Sequence, residues 1–211
     1  MVAPQPGLTP GVANPFNLKD DKGRGNFDRR HVISASWLYS PDFRFANRLA
    51  KTALEHWSLG VFHTIQSGAP LTFTMGTDVA LNGTGQQQHA QLINGATYDD
   101  IVRDNPTRAD MVQQFFNTAV FANPNSLPKG LYGTVGRNII SGPATNRTDF
   151  SLMKDVVMRE AMRLQFRGEF FNAFNQVTLG APNTSASSAT FGRITSASSG
   201  REIQLAMKFL W

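Results

Sequence analysis

The side chains able to do chemistry are spread thinly along this sequence. Its four histidines, His31, His56, His63 and His89, are dispersed, and no His-x₃-His pair or carboxylate cluster marks a metal site. There is no cysteine, which removes disulfides, thiolate zinc sites and thiol nucleophiles. Serine, histidine and aspartate are plentiful, yet a hydrolytic triad is defined by geometry and nothing in their order brings three together. Neither GxxxxGK[ST] nor GxGxxG occurs, so no phosphate-cradling loop is indicated. Asn82-Gly-Thr, Asn146-Arg-Thr and Asn183-Thr-Ser fit the glycosylation pattern and carry no further weight. The expectation is a protein with no catalysis, no cofactor and no metal. Three charged residues keep an interest of another kind. Arg167, Glu169 and Lys208 sit on the polar side of alternating segments, as residues facing an aqueous lumen would. The plainer reading of Arg167 and Glu169 is a solvated pair worth well under about 1 kcal/mol.

The segments that carry these residues alternate with period two. HVISASWLYS (31–40) sets Ile33, Ala35, Trp37 and Tyr39 against Ser34, Ser36 and Ser40. WSLGVFHTIQSG (57–68) sets Trp57, Leu59, Val61 and Ile65 against Ser58, Gly60, Thr64 and Gln66, and the alternation resumes through LTFTM. TDFSLMKDV (148–156) opposes Phe150, Leu152 and Val156 to Asp149, Ser151 and Asp155. A break at Arg159-Glu160 follows. RLQFRGEFFNAFN (163–175) opposes Leu164, Phe166 and Phe170 to Gln165, Arg167 and Glu169. Last comes REIQLAMKFLW, with Ile203, Leu205, Met207, Phe209 and Trp211 on every second position. Between the first two strands, Phe45, Leu49 and Ala53 have helical spacing.

The rest reads as connection. Residues 1–30 are rich in proline, glycine, asparagine and charge. Residues 76–147 show little alternation, and a structureless stretch of that length is uncommon in a compact soluble domain. TSASS occurs twice, at 184–188 and 195–199, and reads as flexible low-complexity loop.

Composition narrows the class. Hydrophobic residues make up 41% and charged residues 17%, too little charge for a disordered chain. The net charge of +5 is scattered, with no basic run of five, which argues against a nucleic-acid partner. The amino terminus lacks the pattern of a signal peptide, and no apolar run approaches the roughly 18 residues of a membrane-spanning helix. A membrane, if this chain meets one, is met by strands.

Five alternating strands are joined by connections that run short, long, short and moderately long. In an antiparallel meander this puts the long ones at one end, as in outer-membrane barrels. The fold expected is all-β: antiparallel up-and-down strands forming part of a transmembrane outer-membrane barrel, about five strands and incomplete. Mid-strand charges and aromatics near strand ends (Trp37, Tyr39, Trp57, Phe174, Phe209, Trp211) agree with it. Alternation alone also fits a soluble secreted β-sandwich for carbohydrate binding or adhesion, burying the Trp37/Trp57 face, and that alternative stays open.

Several stretches resemble the carboxy-terminal part of Oar-like TonB-dependent receptors: NPFNLKDDKGRGNFDRRHV (14–32), IQSGAPLTFTMG (65–76), FFNTAVFANP (115–124), GRNIISGPATNRTDFSL (136–152), LQFRGEFFNAFNQV (164–177) and the final strand. Their order and spacing, more than any one of them, carry the resemblance. It implies that residues 1–30 and 76–147 are extracellular loops of a barrel in the bacterial outer membrane. The implied partners are outer-membrane lipid, the remaining strands and a plug domain, TonB acting through that missing part, and the barrel assembly machinery. The last strand resembles the signal this machinery reads (Ile203, Leu205, Met207, Phe209, Trp211), with tryptophan where the family usually has phenylalanine. Such receptors close about twenty-two strands, so the chain is expected to be a fragment, a truncated frame or half of a split protein.

Overall fold

The computed structural model of this 211-residue chain describes residues 12–83, 87–159 and 162–211. In chain order the strands are β1 (Val32–Tyr39), β2 (Trp57–Gln66), β3 (Pro70–Leu71), β4 (Ile140–Ser141), β5 (Thr145–Arg159), β6 (Met162–Phe171) and β7 (Glu202–Leu210). Two short helices, α1 (Arg48–Leu54) and α2 (Arg108–Gln113), join several 3₁₀ turns. The chain forms two compact units.

The first unit comprises His31–Gln66, Thr145–Thr178 and Ser198–Trp211. It is a five-stranded sheet in the order β1-β2-β5-β6-β7, antiparallel throughout. These are the five alternating segments of the sequence, with corrected ends. β5 begins at Thr145 because Thr145, Asn146 and Arg147 pair with Gln66, Ile65 and Thr64. The long connection therefore ends at Ala144, three positions before the expected Arg147. At its other end β5 runs to Arg159, with a register shift near Val157. The expected break falls there, although Glu160 lies outside the described residues. β6 stops at Phe171, short of the expected Asn175. Asn172 takes φ +53, its carboxamide oxygen accepts from the Gln176 amide at 2.8 Å, and its NH₂ donates to the Gln176 carbonyl at 2.8 Å. Asparagine tolerates this left-handed conformation, and its side chain closes the turn that ends the strand.

α1 forms where helical spacing suggested, though for a different reason. No residue of it is buried; the Asn47 side chain accepts from the Leu49 and Ala50 amides and caps its amino end.

The second unit comprises Ser67–Ala144, Leu179–Ala197 and the amino-terminal stretch up to Arg30, of which residues 1–11 lie outside the description. The 76–147 tract has almost no strand, as expected, yet it is no structureless loop. Phe73, Phe116 and Phe121 are buried together with Ile101, Val120 and Val135. Ring centroids of Phe73 lie 4.7 Å from both Phe116 and Phe121. Irregular backbone is held by local side-chain caps such as the Thr107–Asp110 capping box of α2. The LTFTM segment supplies only the two-residue β3, paired with β4. Both TSASS copies are hydrogen-bonded where flexible loop was expected. Ala186 N donates to Thr74 O at 2.8 Å, and Ser198 N donates to Thr178 O at 2.8 Å.

Candidate functional site

Side chains on directly paired residues of an antiparallel ladder share a face. One row runs Trp37–Val61–Phe150–Phe170–Ile203, the next Tyr39–Leu59–Leu152–Gly168–Leu205. Further rows on that face are Trp57–Lys154–Phe166–Met207 and Val156–Leu164–Phe209. The apolar sides of the five strands thus merge into one continuous face. It is not the inside of a sandwich: Trp37 is 59% exposed, Met207 68% and Leu205 79%. An apolar surface this broad is unusual on a soluble monomer.

The opposite face carries the charge. Arg167 Nε lies 3.1 Å from Glu169 Oε1, and Arg147 Nε lies 2.8 Å from Asp149 Oδ1. Lys208 pairs in register with Gln165, which pairs with Asp155, and Gln165 Nε2 donates to Asp155 Oδ1 at 2.9 Å. The three residues expected to face a lumen therefore lie on one side of one sheet. The face is mixed, since Leu38 and Phe62 also point there and are exposed.

Of the five residues proposed as an assembly signal, Ile203, Leu205, Met207 and Phe209 fall on the apolar face of β7, the last strand in sheet order. Trp211 follows the strand and stacks on Phe209, with ring centroids 5.8 Å apart and planes at 29°. Both β1 and β7 keep a free edge among the described residues.

Lys154 shares the parity of Phe150, Leu152 and Val156 and so lies on the apolar face, where its charge masks it in the sequence. It is only 7% exposed. Its ammonium donates to the Glu55 carbonyl and, at 3.2 Å, to the Asp155 carbonyl, and lies 5.7 Å from the centre of the Trp57 ring. The stem covers apolar surface while the charge is carried to the sheet end where β1 and β2 connect. The one other polar pair in mid-face is self-satisfied: His63 Nδ1 and Thr148 Oγ1 are 2.8 Å apart.

His56 and His89 belong to different units. His56 is half exposed beside the Glu55 carboxylate, at 3.7 Å. His89, 4% exposed in the second unit, has Nε2 3.3 Å from Asp21 Oδ1. Burial pushes its pKa below the ordinary value, against the opposing pull of Asp21. Among the described residues no three metal-binding side chains gather, and no helix is long and apolar enough to cross a membrane.

The family described as "Outer membrane beta barrel domain" matches residues 3–204. No curated protein and no solved structure matches the chain.

Proposed function

Because this chain belongs to the outer membrane β-barrel domain family, we propose that its five-stranded sheet is a stretch of wall in a TonB-dependent transporter similar to Oar-like receptors. The observation that carries the wall is the two-faced register. Apolar side chains of all five strands share one exposed face, and Arg167, Glu169 and Lys208 share the other. In lipid the first face meets acyl chains and the second lines an aqueous or plugged lumen. Every backbone N–H and C=O in hydrocarbon needs a partner, so the free edges of β1 and β7 call for further strands; single-chain bacterial barrels have at least about eight.

In this reading the barrel contributes to uptake of a bulky solute across the outer membrane, without catalysis. Residues 1–30 and 76–147 are its extracellular loops, as the sequence resemblance implies. A plug and its TonB contact come from outside this chain, and the apolar positions of β7 are read by the barrel assembly machinery. TonB dependence rests on the sequence resemblance alone.

The native absence of cysteine permits a clean test. Single cysteines replacing Leu205 and Gln204 are expressed in a bacterial outer membrane and exposed to a membrane-impermeant maleimide. Gln204→Cys should react once the membrane is permeabilised, while Leu205→Cys stays protected; the reverse pattern removes the wall assignment. For the transport part, disrupting TonB and disrupting the receptor should abolish growth on the same nutrients. Non-overlapping losses remove TonB dependence and leave the barrel intact.

A further inference from the structure

Among its described residues the second unit forms an open cleft. It has a volume of about 780 Å³, within the range of roughly 300–1,000 Å³ common to small-molecule sites. The floor is apolar: Phe116 is fully buried in the aromatic core, and Phe115 and Ile140 pack against that core. Val102 stands at the wall and is largely exposed. Three guanidinium side chains line the opening, from Arg24, Arg30 and Arg103, against one carboxylate, that of Asp99.

Their charge is poorly neutralised. Arg30 makes no hydrogen bond or ion pair to the described residues. Arg103 donates to the Gln114 and Asp110 carbonyls and forms no ion pair with the Asp110 carboxylate, although, behind the Thr107 hydrogen bonds, its charge helps to lower the pKa of that exposed group. Arg24 has a single carboxylate neighbour, Asp28, at 3.8 Å and solvent-exposed. We propose that this cleft binds an anionic solute with an apolar body, the acid group held by the arginines and the body lying on the phenylalanine and isoleucine floor. Guanidinium forks match carboxylate, sulfonate and phosphate oxygens two at a time, and an apolar surround strengthens those bonds. A neutral sugar fits less well. Besides the arginines and Asp99, the only polar side chain in the lining is the Ser141 hydroxyl.

The inference deepens the transport reading by naming a solute class, and rests on it for its physiological meaning. Binding itself is testable on the intact chain refolded in zwitterionic detergent, by equilibrium dialysis against naphthalene-2-carboxylate, with 2-naphthamide and octanoate as comparisons. Saturable binding of the naphthoate is expected, with the neutral amide at least about tenfold weaker. Arg30→Gln, which removes no hydrogen bond or ion pair to the described residues, should weaken the naphthoate about tenfold, and so should high salt. Arg103→Lys keeps the charge and loses the fork, for a loss of about threefold or more. Val102→Trp fills the wall and should abolish binding, while Arg48→Gln on α1 leaves it unchanged. Octanoate binding more tightly than naphthoate assigns the site to acyl carboxylates; the opposite order assigns it to aryl solutes. No saturable binding, equal affinity for acid and amide, or identical behaviour of Arg30→Gln and Arg48→Gln overturns the site. Loss of TonB-dependent uptake as a hypothesis, with binding intact, would remove the transport reading and leave the cleft assigned.

Discussion

Leu205 and Gln204 are adjacent on β7, yet the two-faced sheet predicts opposite outcomes for the same substitution. Leu205 lies opposite Gly168 in mid-strand and is 79% exposed on the apolar face. Its replacement by lysine removes an aliphatic side chain from lipid and puts an ammonium there, at about 2–4 kcal/mol near the bilayer midplane. At about 1.4 kcal/mol per factor of ten, lipid partitioning should fall roughly 30- to 700-fold. Gln204 lies opposite Glu169 on the charged face, where a lysine gains a cross-strand carboxylate. That pairing is worth at most about 1 kcal/mol and is favourable, so Gln204→Lys should bind lipid as the parent does. The assay dilutes the urea-solubilised chain into phospholipid vesicles and follows tryptophan fluorescence against lipid concentration. Trp37 and Trp57 report directly, because both lie on the apolar face. Equal effects of the two lysines, or a larger effect at 204, would refute the orientation. The β-sandwich alternative makes a separate forecast: cooperative unfolding in buffer without lipid, with a midpoint lowered by Leu205→Lys.

Other outcomes follow from individual contacts. Lys154→Ala removes the donor to the Glu55 carbonyl and the cation over Trp57, and should cost about 1–3 kcal/mol in urea titrations of the lipid-bound chain; a shift under a few tenths would show that ammonium to be idle. Phe73→Ala empties the centre of the aromatic cluster and should cost the second unit about 3–5 kcal/mol, read as lost amide-exchange protection around Ala90 and Val135. His89 is held neutral by burial, so its folded pKa lies below its unfolded value. The unfolded state then binds the extra proton, so His89's contribution is complete above about pH 6.5 and is lost as the pH falls through the folded pKa. Proteolysis of the second unit should therefore rise with acidification, and His89→Gln should flatten that rise; matching profiles would exclude His89 as the cause.

The strands were legible because each has one face in a uniform environment, which imprints period two on the chain. That imprint survives even where one residue breaks type. Lys154 sits on the apolar face by parity, and only its charge hid it from a reading by polarity. The ends of strands were less legible. Thr145–Arg147 pair with β2 although their side chains show no clean alternation, and Asn172 stops β6 through a turn whose signal is a single asparagine. The second unit was opaque for a different reason. Its core joins Phe73, Phe116 and Phe121 from separate irregular segments, so no local period records which residues are buried. The arginines of its cleft, Arg24, Arg30 and Arg103, are likewise brought together only by tertiary folding. In contrast, α2 carries a readable mark in its Thr107–Asp110 capping box, in the midst of a tract without alternation.

The register also gathers the aromatic strand ends on one side of the sheet. Trp37 and Tyr39 close β1, Trp57 opens β2, Phe209 closes β7 and Trp211 follows it; antiparallel pairing puts all five at the end where β1 leads to β2 and β5 to β6. Of the aromatics first noted near strand ends, only Phe174 belongs to the other end, where it meets Phe150 edge-on at 5.6 Å. Indole and phenol rings prefer the headgroup level, half apolar and half wet, and a lysine stem that delivers its ammonium to that same level obeys the same rule. Trp57 and Lys154, paired in register and in contact, are one instance of it. A sandwich core has no reason to sort its aromatics toward one end of the strands or to lead a buried lysine there. A headgroup layer has that reason. Under the proposed wall assignment, the general plan of outer-membrane barrels assigns the shorter connections to the periplasmic side and the two long ones to the extracellular side.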